Sequence, residues 1–209
     1  PKTLRRITDM RESAFESGKL VEVFLNTAAL QSGQAQVRPV SIDLSTWMPD
    51  VQTEFTLNYP QAVLKMSWPD KTPPVVLDPL LTKLSLENIV INALKYAGPQ
   101  YPVSIQVAVL PGSVLFIVED EGPGLNPEQY LLLGESALLR QPTEDKPGFG
   151  LGLSLVAYIA KAHGGSLQAQ PRQPQGVRWL LQLGQGQTTG AHLPAASSGA
   201  SGERPGTNA

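Results

Sequence analysis

Apolar positions fall at helical spacing in some stretches and at alternate positions in others, and the switches between the two periods divide the chain. Leu4, Ile7, Ala14, Val21, Leu25 and Ala28 recur mostly at helical spacing, with polar residues between them and no Pro after Pro1. That predicts an amphipathic helix stopping at Ser32-Gly33. A helix with one apolar stripe has to bury it. No other long helix in the chain offers a matching stripe, so the expected partner lies outside this chain or on a second copy. From about residue 36 the texture changes. Val37–Leu44 alternates as a short strand, and Ser45–Tyr59 reads as a helix capped by Ser45. Pro49 falls in its first turns, which allows a start a few residues later. Val63–Trp68 is a strand, residues 69–74 a proline-rich turn, and Val75-Val76-Leu77 a short buried strand.

The strongest helical pattern is Leu80–Ala97, ended by Gly98-Pro99. Val103–Leu110 and Val114–Glu119 flank Pro111-Gly112-Ser113, a hairpin signature. Residues 126–146 are polar, irregular and weakly helical. Leu151–His163 is a helix ended by Gly164-Gly165, and Ser166–Gln170 with Val177–Leu183 forms a second hairpin. Mixed helices and strands, with the later strands paired as hairpins, predict an α/β fold. The expectation is a two-layer α/β sandwich with a mixed sheet and helices on one face, preceded by an amphipathic helix. Three parts are expected: residues 1–34 as a helical segment, 35–184 as the folded domain, and 185–209 as a disordered tail. The tail is mostly Gly, Ser, Ala, Thr and Pro and lacks the apolar surface to offset its ordering entropy.

Composition narrows the chemistry. The 209 residues carry a net charge of −2, with 16% charged residues and no basic excess, so nucleic acid is not an expected partner. The absence of Cys removes disulfides, thiolate metal sites and a Cys nucleophile, and two His do not make a multi-His metal cluster. The longest apolar runs fall short of the ~20 residues of a bilayer span, and no signal-peptide pattern opens the chain. A chain beginning at Pro1 is expected to be a piece of something longer, and this piece to be soluble and intracellular.

Three polar constellations remain. On the helix Leu80–Ala97, Leu86, Val90, Ala93 and Ala97 form one stripe, suited to lie on the sheet. Asn88, Asn92, Lys95 and Tyr96 gather on another side. An Asn oxygen is a hard ligand for Mg2+, and a Lys one turn on supplies a point charge for phosphate. Taken alone, it reads better as a solvent-facing polar stripe. Next, Asp120-Glu121-Gly122-Pro123-Gly124 follows an apolar strand. The glycines let a flat ligand approach the backbone, and Asp120 can accept from an exocyclic amine. Alone it is an ordinary turn. Third, Gly148, Gly150 and Gly152 open the helix Leu151–His163, freeing N–H groups to cradle phosphate at the positive end of the helix dipole. The loop is no dinucleotide fingerprint, because it does not follow a strand within a βαβ unit, and it lacks the ending of a P-loop.

Together and in this order the three resemble the N box and two glycine boxes of the sensor histidine kinase ATP-binding domain, in the wider family of DNA gyrase, the large heat-shock chaperone ATPases and MutL. Residues 160–165 resemble the end of the helix after the last glycine box. Residues 19–33 resemble the end of the second helix of the kinase dimerisation hairpin. The resemblance covers roughly residues 4–184. It implies ATP and Mg2+ as cofactors. Asn92 would hold Mg2+ with Asn88 assisting, Lys95 would contact phosphate, and Tyr96 would pack against the nucleotide. Asp120 would recognise the adenine amine beside Gly122 and Gly124. Gly148, Gly150, Leu151, Gly152 and Leu153 would form the hinge and phosphate loop. Segment 126–147 would be a mobile lid, with Arg140 within reach of phosphate. The parent would be cytoplasmic or membrane-anchored with a cytoplasmic domain, would dimerise, and would serve a response-regulator receiver domain.

Two departures from the family pattern stand out. The lid segment Tyr130–Arg140 lacks the usual Phe, and no phosphoacceptor motif is present. The leading expectation is therefore a catalytic fragment that transfers the ATP γ-phosphoryl group to a His on an upstream helix outside the chain. The alternatives are an ATP-hydrolysing clamp or Ser kinase of the same wider family, and a degenerate nucleotide-binding module used for docking. Hydrolysis would need a Glu one turn before the metal Asn. That position is Asn88, a poor base, and Glu87 points about 100° away. His163 is expected at the end of its helix, where a cation favours the dipole.

Overall fold

The computed structural model describes residues 37–134 and 151–186, with 131–134 and 151 as backbone only. The expected first helix, the C-terminal tail from 187, the lid beyond 134, Arg140, Gly148, Gly150 and His192 lie outside the described residues. In chain order the elements are β1 (Val40–Ile42), α1 (Leu44–Asn58), β2 (Leu64–Ser67), β3 (Val75–Leu77), α2 (Pro79–Ala97), β4 (Val103–Leu110), β5 (Ser113–Asp120), α3 (Pro127–Gly134), α4 (Leu151–Ala162), β6 (Ser166–Pro171) and β7 (Val177–Gly184).

Strand alternation builds the central layer. Five strands form one mixed sheet in the order β2-β4-β5-β7-β6, with β2 parallel to β4 and the other pairs antiparallel. The register sets apolar residues abreast in rows on one face. Met66, Ile105, Val118 and Trp179 form one row; Val107, Phe116 and Leu181 the next; Val109, Val114 and Leu183 the last. Gln106, Arg178 and Gln182 occupy the opposite face and are exposed. That is the pattern of a sheet covered on one side only. Leu44, Met48, Val51 and Phe55 of α1, Leu86, Ile89, Val90 and Ala93 of α2, and Leu153, Val156 and Ala160 of α4 join these rows in a single core. The α/β sandwich with helices on one face is thus the fold of this chain. Truncating a wholly buried residue such as Phe116 to Ala would cost about 3–5 kcal/mol.

Helix ends follow capping chemistry. Asp78 caps α2 by accepting from the Leu80 and Leu81 N–H groups, with Pro79 opening the helix and Gly98, at φ 97°, closing it. In α4 the Gly165 N–H bonds the Ala160 carbonyl and the Gly164 N–H bonds that of Lys161, with Gly164 at φ 67°. This is the double bond that a left-handed glycine permits at a helix end. One expectation is corrected. The cap of α1 is Asp43, which accepts from both the backbone N–H and the hydroxyl of Ser45, so the helix starts at Leu44 and carries Pro49 inside it. β1 and β3 pair antiparallel as a separate two-stranded ribbon.

Candidate functional site

On α2 the two asparagines behave alike. Asn88 Nδ2 donates to the Leu84 carbonyl at 2.8 Å, and Asn92 Nδ2 donates to the Asn88 carbonyl at 2.9 Å. Each amide spends its N–H on its own helix and keeps Oδ1 as the remaining acceptor. Asn88 is not solvated: it is only 8% exposed, and a Cβ at Gly152 would stand 2.5 Å from its Oδ1. The first turn of α4 therefore meets α2 where glycine alone fits. Lys95 and Tyr96, one turn on, are exposed, with the Lys95 Nζ 5.7 Å from the Tyr96 ring centre.

The strand rows explain the second feature. Leu64 and Val103 lie abreast of Asp120, so the inward face of β5 ends on a carboxylate where its pattern calls for an apolar residue. Asp120 is 5% exposed. Its Oδ1 accepts from the Gly122 N–H at 3.0 Å and the Val177 N–H at 3.4 Å, which leaves Oδ2 to a ligand. Burial pushes the Asp120 carboxyl above the usual range, opposed by the Gly122 and Val177 N–H groups and by the Arg172 guanidinium. Gly122 lies on the end of α2, where an added Cβ would come within 2.4 Å of the Ala97 Cβ. Gly124 turns at φ 79°.

Asn92, Tyr96, Asp120 and Gly124 line one cavity between α2, β5 and β7, with about 320 Å³ of non-atom space counting its open mouth. Gly122 packs against two of its lining residues, Ala97 and Asp120. Leu153 is buried in the core, so what it can offer a ligand is its backbone. Lys95, Asn88, Gly122, Gly152 and Leu153 are not among the lining residues. Sequence reasoning missed Ala93, Ala97, Pro123, Leu125, Val177 and Trp179 as lining residues. Val177 and Trp179 are legible as inward strand positions, but their place beside Asp120 follows only from the β5–β7 register. Gly176 was missed as well. It sits at φ 113°, and a Cβ there would lie 1.9 Å from the Asp120 carbonyl oxygen.

An apolar slot ending in a carboxylate acceptor suits a flat heterocycle that bears an N–H donor. For a cation, no group of three or more His, Asp or Glu among the described residues could form a cage. Asn92 Oδ1 fits instead the sparse protein share of a Mg2+ shell completed by phosphate oxygens and water. Glu87 is turned away from this cavity, with its Oε1 accepting from the Tyr59 hydroxyl at 2.8 Å. His163 ends α4 as expected and is packed there rather than left in solvent. It is 9% exposed, its Nδ1 lies 2.9 Å from the Ile159 carbonyl, and its Nε2 accepts from the Asp78 N–H at 3.4 Å.

Residues 78–196 match the family model for the histidine kinase-, DNA gyrase B-, and HSP90-like ATPase. The chain is 28% identical over 183 residues to the sensor protein KdpD of Escherichia coli K12, covering 87% of this chain and 20% of that protein. It is 29% identical over 163 residues to the sensor protein RstB of the same organism, covering 77% and 37%. It thus spans well under half the length of these curated relatives. Among solved structures, full-length ShkA in complex with AMPPNP superposes at a TM-score of 0.67 with 21% identity, over 89% of this chain and 40% of that one. The Acinetobacter baumannii histidine kinase AdeS does so at 0.62 with 23% identity, over 81% and 79%. At such identities the two structures speak for the fold.

Proposed function

Because the chain belongs to the family of histidine kinase-, DNA gyrase B- and HSP90-like ATPases, we propose that it binds Mg-ATP as the catalytic part of a two-component protein-histidine kinase. The observation that carries this reading is the convergence of the Asp120 carboxylate and the Asn92 amide on one cavity. Asp120 Oδ2 accepts the adenine amine, and the apolar side chains of Val177 and Trp179 border the ring. Asn92 Oδ1 would hold Mg2+, with Asn88 supporting it through the shared helix. Lys95 meets phosphate from the rim. The glycine loop, of which Gly148 and Gly150 lie outside the described residues, wraps the phosphates at the start of α4. When bound, Mg2+ supplies charge neutralisation on the phosphate oxygens, and the chain's own contribution is positioning.

The γ-phosphoryl group passes to an imidazole nitrogen of a His on a dimerisation hairpin outside this chain, leaving ADP. A receiver domain of a response regulator then takes it. Residues 1–34, outside the described residues, resemble in sequence the end of that hairpin's second helix, and the parent would be a homodimer whose kinase domain works in the cytoplasm, where ATP is available. A hydrolytic clamp is disfavoured: Asn88 stands where a water-activating Glu is needed, and Glu87 is bonded to Tyr59. Calorimetric titration of ATP, GTP and adenosine with and without Mg2+ tests the proposal. ATP binding that strengthens with Mg2+ and exceeds GTP binding is expected; equal binding of ATP and GTP, or none, would overturn it.

A further inference from the structure

The turn between β6 and β7 is fastened to the strand end that carries Asp120 by more bonds than a hairpin needs. The Arg172 guanidinium bonds Glu121 Oε1 at 2.8 Å and lies 3.7 Å from Glu119 Oε2, so it grips the residues on both sides of Asp120. The same side chain donates to the Gln175 carbonyl at 3.2 Å, and its backbone N–H closes the turn on the Gly176 carbonyl at 3.1 Å. Gln175 Nε2 donates to the Glu121 carbonyl at 3.0 Å. Gly176 passes so close to the Asp120 carbonyl that no side chain fits between them, and Val177 donates its N–H to Asp120 Oδ1. The Tyr130 hydroxyl of α3 donates to the Gly176 carbonyl from the other side at 3.3 Å.

Resting on the proposed reading of Asp120 as the adenine acceptor, we propose that Arg172 is a positioning residue for nucleotide recognition, holding the 172–177 turn and the Asp120 carboxylate in the arrangement that selects an amine-bearing base. An exposed ion pair contributes little on its own. Arg172 differs in joining two carboxylates and two backbone groups around one peptide. It also places a positive charge near a buried carboxylate that burial pushes toward protonation, and so favours the ionised form. The other charged or titratable groups around Asp120 are Glu119 and Glu121 on its own strand end, Tyr130 on α3, Arg178 on β7, which is held by Glu119, and Lys95 and Tyr96 on α2. Of these, Arg172 is the cation that favours the ionised form of Asp120.

The test uses the whole chain and Mg-ATP, with Mg-ITP, which carries a carbonyl in place of the amine, as comparison. In Arg172→Gln, ATP affinity falls roughly fivefold, ITP affinity is little changed, and the acid limb of ATP binding moves to higher pH. Arg172→Lys keeps the charge and restores the pH profile. A general loss of structure would lower both nucleotides equally and would not be rescued by Lys. If the unaltered chain binds ATP and Arg172→Gln keeps its pH profile and its ATP-to-ITP ratio, the inference is overturned while the functional reading stands. If the unaltered chain prefers ITP or binds neither nucleotide, both fall.

Discussion

On the proposed reading, Asp120 serves binding at the expense of folding. Its carboxyl is pushed above the usual range by burial. A group with a raised value in the folded state stabilises the fold when protonated, and that contribution is lost as pH rises through the raised value. Above that value the ionised Asp120 therefore opposes folding, and on the proposed reading the adenine amine would compensate. Asp120→Asn keeps an oxygen for the Gly122 and Val177 N–H groups but removes the charge. It is expected to raise the melting temperature of the empty chain at pH 7 and to weaken ATP binding by about 1–3 kcal/mol. A thermal melt beside calorimetry checks both, and a lowered melting temperature would contradict the burial argument. For the same reason ATP binding to the unaltered chain weakens as pH falls through the raised Asp120 value. Asn92 is the complementary case. Its amide N–H is committed to Asn88, so Asn92→Ala removes a ligand oxygen while leaving the cavity's apolar wall. The Mg2+ dependence of triphosphate binding is expected to vanish with adenosine binding nearly unchanged. Equal losses for both would make Asn92 structural.

Between elements, the decisive contact is that of α2 with the first turn of α4. Alanine in a helix is ordinarily favoured over glycine by about 1 kcal/mol. At position 152 the order reverses, because the new Cβ would stand 2.5 Å from Asn88 Oδ1. Gly152→Ala is expected to destabilise the chain by about 1–3 kcal/mol in urea unfolding. Adding Asn88→Ala removes the crowded oxygen and recovers much of the loss, so the pair is non-additive; strictly additive effects would mean that the helices do not meet there. The two helices themselves were legible from apolar spacing, as were both hairpins, because periods of 3.6 and 2 are local properties of the chain. What was not legible depends on distant partners. Asp43 and Ser45 are both good caps two positions apart, and only the bonds formed decide between them. The β1–β3 ribbon joins Val40 to Leu77 with a whole helix and strand between. Gly176 reads as a turn glycine, yet its constraint comes from the Asp120 carbonyl on another strand. Of the expected set, Asn92, Tyr96, Asp120 and Gly124 do meet at one cavity, but each taken alone read as a solvated stripe or an ordinary turn, and it was their order along the chain that grouped them.

At the scale of the molecule, the histidine among the described residues, His163, is kept apart from the site. His192 lies outside the described residues. His163 ends α4, whose first turn meets Asn88, so with 12 residues at roughly 1.5 Å each its ring lies about 18 Å along the helix from that turn. It is also buried at the junction of α4 with the start of α2. Nδ1 donates to Ile159, and the lone pair on Nε2 is taken by the Asp78 N–H. Asp78 in turn caps α2 and accepts the Arg38 N–H at 2.8 Å, so this corner ties the entering chain to both site helices. Phosphoryl transfer needs an exposed nitrogen lone pair in line with the γ-phosphate. His163 satisfies neither condition, and exposing it would break the corner. Incubated alone with labelled Mg-ATP, the chain is therefore expected to form no acid-labile phosphohistidine. Added to a dimerisation hairpin that carries an acceptor His, it is expected to label the hairpin. His163→Asn leaves that transfer in place while lowering stability, because the amide does not reproduce both bonds of the ring. Stoichiometric label mapped to His163 in the isolated chain would show that this corner opens, and would place the acceptor inside the domain rather than on a separate helix.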